Sequence, residues 1–281
     1  MTGSSPPVRV IGIRYLNARP LLAGLAAGIG APFAYEFETG DPAVCARELG
    51  EGRACAALVP VATLPGLQGM KLLPELGIAC RGAVHSVLLV SRVEVGSIRT
   101  LAVHRASRSS VTMARLWLAA CHGVQPKLLL ADPPVSSMLA AADTDAAIII
   151  GDPAMREWGR TGLLEVDLGA AWVAWTGLPF VFGVWAMAPA APAGTRELLV
   201  ASHAHAHAHW NELIPAWAAA HQLPEPGVRS YLESTLHFQL DPADLAGMSE
   251  FLRRAAAAGV LPAYSRPIED VAERNPLLTN S

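Results

Sequence analysis

The sequence predicts an α/β protein built as two lobes with a ligand cleft between them. Three observations carry this expectation. Short apolar, β-rich runs alternate with helical patterns, which is how a sheet covered on both faces reads. The βαβ series stops and begins again at Thr100, as though one unit had been repeated. Two further β-rich runs, near 85–91 and 179–187, stand where a chain would cross from one lobe to the other and back.

The elements follow in order. The first strand is predicted over Val8 to Tyr15, and a helix over Arg19 to Ala27 with Pro20 in its first turn, where the missing N–H costs nothing. "FAYEFE" reads as a second strand, "DPAVCARELGEG" as a helix entered through Asp41 and Pro42, and "ACAALVP" as a third strand. "RGAVHSVLLVSR", Arg81 to Arg92, is the first crossover. The second series runs "TLAVH" as strand, "SRSSVTMARLWLAACHG" as a helix closed by Gly123, "KLLLAD" as strand, "PPVSSMLAAAD" as helix and "AAIIIG" as strand. "WTGLPFVFGVWAM", Trp175 to Met187, is the second crossover, and the rest reads as helical over 191–223 and 226–258. The lobes expected from this are 1–88 with 180–281, a discontinuous first lobe, and 89–179, the second. Open α/β sheets bind ligands beyond the carboxyl ends of their strands, so the site belongs between the lobes, with hinge closure as its motion.

Composition narrows the function. The net charge of -3 over 281 residues gives no basic excess for nucleic acid. No apolar run reaches the roughly 18 to 20 residues of a membrane span. "MTGSSPPVRV" lacks the basic and apolar regions of a secretory signal, so a cytoplasmic location is expected. Cys45, Cys55, Cys80 and Cys121 are scattered without a C-x-x-C pair, the pattern of reduced cysteines. In "SHAHAHAHW" the pairs His203/His207 and His205/His209 point to different sides of a helix and lack a third ligand, so a solvated helix with no metal is expected. Oligomeric state is left open.

Five stretches offer site residues. Asn17 stands where the first strand becomes a helix and presents both an amide carbonyl and an NH₂; a local turn or cap is the structural alternative. Ser107, Ser109 and Ser110, with Arg108, open an amphipathic helix. One serine is expected as N-cap, and the remaining hydroxyls with Arg108 suit a carboxylate or phosphate. Gly151 and Asp152 follow a buried strand, where glycine admits close approach and aspartate meets a hydroxyl or caps a helix. Ser86, beside His85, interrupts the first crossover, and Thr176 with Gly177 neighbours the second. A GxGxxG fingerprint, a P-loop and a G-x-S-x-G elbow are all missing, so nucleotide and serine-hydrolase chemistry has no support.

Together "YLNARPL", "SRSSV", "IIIGDPA" and "WTGLPFVFGVWA", in this order and at these spacings, resemble the chorismate dehydratase family, which opens the futalosine route to menaquinone. The likeness runs from Val8 to Met187 and continues more weakly through "YLESTLHFQLDPADLAGMSEFLRRA". It implies a type II periplasmic-binding-protein-like fold, with Asn17, Ser86, the Ser107 to Ser110 turn and Gly151-Asp152 around the interlobe cleft. It implies chorismate as the small-molecule partner, with loss of water to give 3-[(1-carboxyvinyl)oxy]benzoate and neither metal nor redox cofactor required. The chain departs from the family pattern at Cys55, where an acidic residue is expected, and at Val61, where serine is common. The alternatives are a solute-binding protein of the same fold and the sister enzyme 1,4-dihydroxy-6-naphthoate synthase.

Overall fold

A computed structural model describes residues 6–104, 107–140 and 144–265. The first βαβαβ series is β1 (Val8–Ile13), α1 (Arg19–Ala26), β2 (Tyr35–Gly40), α2 (Pro42–Gly50) and β3 (Ala56–Pro60), followed by β4 (Lys71–Cys80). A 3-10 turn, Leu16–Ala18, joins β1 to α1, and another, Val61–Gly66, follows β3. The second series is β5 (Val87–Ser91), β6 (Thr100–Val103), α3 (Arg108–His122), β7 (Lys127–Leu130), α4 (Val135–Ala140) and β8 (Ala146–Ile150). It is completed by α5 (Asp152–Glu157), β9 (Leu164–Asp167) and α6 (Leu168–Thr176). The end expected for the α4 helix, at 141–143, lies outside the described residues. The chain then returns through β10 (Phe180–Met187) to α7 (Thr195–Ala208), α8 (Trp210–His221), α9 (Glu225–Ser230), a π-helical turn at Tyr231–Thr235, β11 (Leu236–Gln239) and α10 (Pro242–Ala257).

The strands form two sheets, β11-β4-β10-β3-β1-β2 and β7-β6-β8-β5-β9. They share one plan. In each, three parallel strands (β2-β1-β3 and β7-β6-β8) meet an antiparallel strand delivered from the other lobe, β10 in the first sheet and β5 in the second. The duplication expected from the restart of the βαβ pattern is therefore present in the strand order. Side chains of β5 alternate as period two requires: Leu89 joins the main core, while Leu88 and Val90 face a smaller cluster with Ala102, Met138 and Ile149 on the opposite side.

The chain crosses between the sheets at 81–86 and at 177–179, just ahead of β5 and β10. Both crossings are pinned. The buried Asp167 carboxylate accepts the N–H groups of Val84 (2.9 Å) and His85 (2.6 Å) and also caps α6 through Ala170 (3.0 Å). At the second crossing the Trp172 indole donates to the Pro179 carbonyl at 3.0 Å, and Gly247 of α10 lies so close that a Cβ there would sit 2.1 Å from that same oxygen.

Several elements escaped the sequence reading, among them α5 and β9, which lie in a span given no assignment. β4 is buried on both faces between β10 and β11, so "KLLPELGIAC" has no alternation to betray it, and Pro74 lies where the register with β10 shifts. α6 went unassigned except for its last turn, which the expected crossover takes in, although Asp167 and the left-handed Gly177 bracket it as caps. β11 interrupts a stretch read as continuous helix.

The histidine run is not uniformly solvated. His203 is buried where α7 packs on α1, with Nδ1 3.2 Å from the Pro20 carbonyl, because the helix needs an inward-facing residue at that turn. Burial pulls its pKa from 6.5 down to about 4. Below pH 6.5 the unfolded chain takes up a proton that the folded chain refuses, so stability is full above this value and drains away as pH falls towards 4. Between pH 7 and pH 5 His203 is expected to cost about 2 kcal/mol. Urea unfolding of the parent and of His203→Gln at both pH values checks this, the variant losing that share of the slope.

Candidate functional site

A cavity of about 60 Å³ lies between the sheets, bordered by Ile13 at the end of β1, Pro60 at the end of β3 and Ile150 at the end of β8. This is the carboxyl-end crevice expected of open α/β sheets. Phe182 and Gly183 of β10 and Ile78 of β4 form its apolar wall.

Asn17 reaches the cavity from the 3-10 turn after β1, and its Oδ1 is buried without a hydrogen-bond partner. Ser107 faces it from the second lobe. It stands at the N-cap position of α3, yet its side chain makes no cap bond, and its Oγ is likewise buried and unpartnered. The capping expected of one serine is thus not made by Ser107. A buried polar atom without a partner costs about 1 to 3 kcal/mol, so two of them facing one cavity mark a place built for a polar guest. Arg108 is exposed at the rim and is the one charged side chain among the described lining residues.

The remaining serines are engaged. Ser109 Oγ accepts the Ala62 N–H (3.2 Å) and donates to the Phe182 carbonyl (3.3 Å), tying α3 to the first lobe, while Ser110 lines the cavity beside it. Ser86 is buried and accepts the Tyr231 hydroxyl at 2.7 Å. Desolvation holds that phenol well above the usual tyrosine pKa, which keeps it a donor and leaves the Ser86 proton free to point elsewhere. Tyr231 was not foreseen; nothing in its helical neighbourhood signals a site.

Gly151 closes the cavity floor. Its φ of +66° favours glycine, a Cβ would press on the Tyr15 ring at 3.2 Å, and its N–H donates to the Ser86 carbonyl at 2.7 Å. Asp152 does not line the cavity: its Oδ1 accepts the Leu16 N–H (3.2 Å) and its Oδ2 faces His221 Nδ1 (2.5 Å). Thr176 also lies outside the lining. At the last turn of α6 its hydroxyl donates to the Trp172 carbonyl at 2.8 Å, the local bond that a helix end offers a threonine, and the cavity is served by Phe182 and Gly183 of the same stretch instead.

A larger groove of about 570 Å³ runs between α3, α6 and α10, with Arg115, Trp175, Arg253 and Arg254 on its walls. Volume alone would favour it. It lies away from the strand ends, however, and Glu250 already engages both Arg253 and Arg254 (2.7 and 2.6 Å).

A family model described as menaquinone biosynthesis matches residues 8–257. The chain belongs to this family. Solved structures agree on the fold at low sequence identity. Protein AF1704 from Archaeoglobus fulgidus superposes with a TM-score of 0.73 at 14% identity, over 91% of this chain and 98% of that one. The Candida albicans CA3427 product, whose fold is described as that of generic periplasmic binding proteins, gives 0.68 at 12% identity over 96% and 95%. The aliphatic sulphonate binding protein SsuA of Escherichia coli gives 0.61 at 12% identity over 92% and 90%. The fold is that of periplasmic binding proteins, and membership of the menaquinone biosynthesis family places the chain in that pathway.

The two departures from the chorismate dehydratase pattern, Cys55 and Val61, do not line the cavity. Cys55 joins the first sheet through its N–H on the Arg9 carbonyl (2.8 Å), and Val61 is fully buried in the turn after β3. Among the described residues no group of three or more His, Cys, Asp or Glu is placed to hold a metal ion, and no helix is long and apolar enough to cross a membrane.

Proposed function

We propose that this member of the menaquinone biosynthesis family is a chorismate dehydratase, converting chorismate to 3-[(1-carboxyvinyl)oxy]benzoate and water. The observation that carries the proposal is the meeting of Asn17 Oδ1 and Ser107 Oγ, both buried and unpartnered, in a cavity whose described lining is otherwise neutral apart from Arg108.

Chorismate brings two carboxylates and a ring hydroxyl. Arg108, Ser107 and Ser110 at the start of α3 suit a carboxylate, since a guanidinium and hydroxyls supply charge-assisted hydrogen bonds. Asn17 suits the departing hydroxyl and its neighbour, because an amide donates and accepts without adding charge. In the reaction the ring C–H vinylogous to the ring carboxylate breaks. Its electron pair forms the third ring double bond as the adjacent C–O bond breaks and hydroxide departs; the proton, taken first by a base and then passed on, makes up the lost water with that hydroxide. Among the cavity-lining side chains none is a carboxylate or imidazole. The proton therefore goes to the substrate's own enolpyruvyl carboxylate, with the protein supplying orientation, an effect worth up to roughly 7 to 11 kcal/mol in aligned systems. The cavity is far below the roughly 300 Å³ at which ligand sites begin, so substrate enters a more open arrangement and the lobes close on it.

A pair of substrates tests this reading: chorismate, and the analogue that carries a hydroxyl in place of the enolpyruvyl ether. Water should be lost from chorismate alone. Equal loss from both would contradict the substrate carboxylate as proton acceptor, and loss from neither would contradict the dehydratase.

A further inference from the structure

We propose that Asp152 and His221 are positioning residues: together they latch the two lobes across the cleft and set the turn that carries Asn17. The part concerning Asn17 rests on the function proposed above. The latch itself rests on geometry alone.

Asp152 opens α5 in the second lobe, directly after β8 and Gly151. Its partners lie in the first lobe. Oδ1 accepts the N–H of Leu16, the residue before Asn17, at 3.2 Å, and Oδ2 meets His221 Nδ1 at 2.5 Å. His221 ends α8, which follows α7, and α7 is bound to α1 through Ser202, whose Oγ donates to the Leu21 carbonyl (2.9 Å) and accepts the Leu25 N–H (3.0 Å).

Arg19 decides which ring nitrogen holds the proton. Its Nε–H donates to His221 Nε2 at 3.1 Å, so Nε2 is the acceptor and the proton sits on Nδ1, pointing at Asp152. Arg156 of α5 adds a third bond across the cleft, Nη1 donating to the His221 carbonyl at 2.9 Å, where a cation suits a helix C-terminus. Both side chains of the central pair are nearly buried, with 8% and 14% exposure for His221 and Asp152.

These bonds exist only while the lobes are together. Opening breaks the Asp152 bonds to Leu16 and His221 and the Arg156 bond to His221 at once, and closing restores them. The carboxylate is turned away from the cavity onto an imidazole and the backbone N–H of Leu16. This keeps its charge off a dianionic guest while clamping the peptide next to Asn17. Closure and the placement of Asn17 thus become one event.

The test compares Asp152→Ala, Asp152→Asn and His221→Ala with the parent. Amide hydrogen exchange over the peptide containing Leu16 and the small-angle scattering dimension are read without any substrate. Asp152→Ala should speed that exchange about tenfold or more and widen the scattering envelope, as loss of bonds to a charged acceptor implies. Asp152→Asn keeps an oxygen for the Leu16 N–H and should stay near the parent in exchange. His221→Ala, which leaves the Leu16 bond in place, should widen the envelope if Asp152→Ala fails to fold. With chorismate, Asp152→Ala should lose about tenfold in kcat with little change in KM, and Asp152→Asn should restore most of it. Unchanged exchange and scattering in Asp152→Ala, or unchanged scattering in His221→Ala, would overturn the latch. An unchanged kcat in Asp152→Ala would overturn its positioning role. Should the parent leave chorismate untouched, the dehydratase reading falls while exchange and scattering still judge the latch.

Discussion

Asn17→Ala is expected to fold as the parent does, to bind chorismate with little change, and to turn it over roughly thirty- to a thousandfold more slowly. The magnitude is that of one well-placed hydrogen-bonding group at a reacting centre, about 2 to 4 kcal/mol. Folding should survive because the side-chain oxygen holds no partner in the protein, so its removal breaks nothing and relieves a buried unsatisfied atom. Binding should survive because the carboxylate contacts lie across the cleft at the start of α3. Asn17→Asp is nearly isosteric but exchanges the amide donor for a negative charge, and should fail earlier, at binding, since it faces a dianion in a cavity with one cation at its rim. Steady-state kinetics with circular dichroism on both variants separates the effects, and an alanine variant that turns over at the parent rate would return Asn17 to the role of a turn residue.

Trp172→Ala is expected to cost about 3 to 5 kcal/mol of stability, the usual range for deleting a buried aromatic side chain. The ring is fully buried and meets Trp175, Phe180 and Phe251 edge-on, with centroids 5.7, 5.3 and 6.0 Å away. It also holds the second crossing through its bond to the Pro179 carbonyl, so the loss should loosen the return of the chain into the first sheet. Trp172→Phe separates the contributions: packing is largely kept, the carbonyl loses its donor, and a cost of only about 1 to 2 kcal/mol should remain. Urea unfolding with fluorescence and circular dichroism followed in parallel reads both variants. A loss below 1 kcal/mol in Trp172→Ala would mean that the crossing is not anchored there.

The two-lobe plan was legible because parallel strands buried on both faces announce themselves as apolar runs between amphipathic helices, twice over. β4 was not, since burial on both faces erases alternation and Pro74 argues against a strand. α6 was hidden by an almost uniformly apolar composition, "LGAAWVAWT", which has no helical stripe to recognise. At the site, Asn17, Ser86, Ser107, Ser109, Ser110, Arg108 and Gly151 do converge on one cavity, because each sits at a strand end or helix start and the topology brings those ends together. What sequence could not convey is which polar atoms the fold already uses. Ser109 bridges the lobes, Asp152 faces His221, and Thr176 closes its own helix. Tyr231 and His221 were invisible for the opposite reason, arriving from C-terminal segments whose packing no local motif encodes.

The central claim is tested most directly by following chorismate with the purified protein by proton NMR, alongside Asn17→Ala and a protein-free control. The expected result is a single aromatic product, one water lighter and still bearing its enolpyruvyl ether, formed rapidly by the parent and at least thirtyfold more slowly by the variant. Chorismate that binds and is recovered unchanged, as from a solute receptor, or an aromatic product that has lost the enolpyruvyl group, would contradict it.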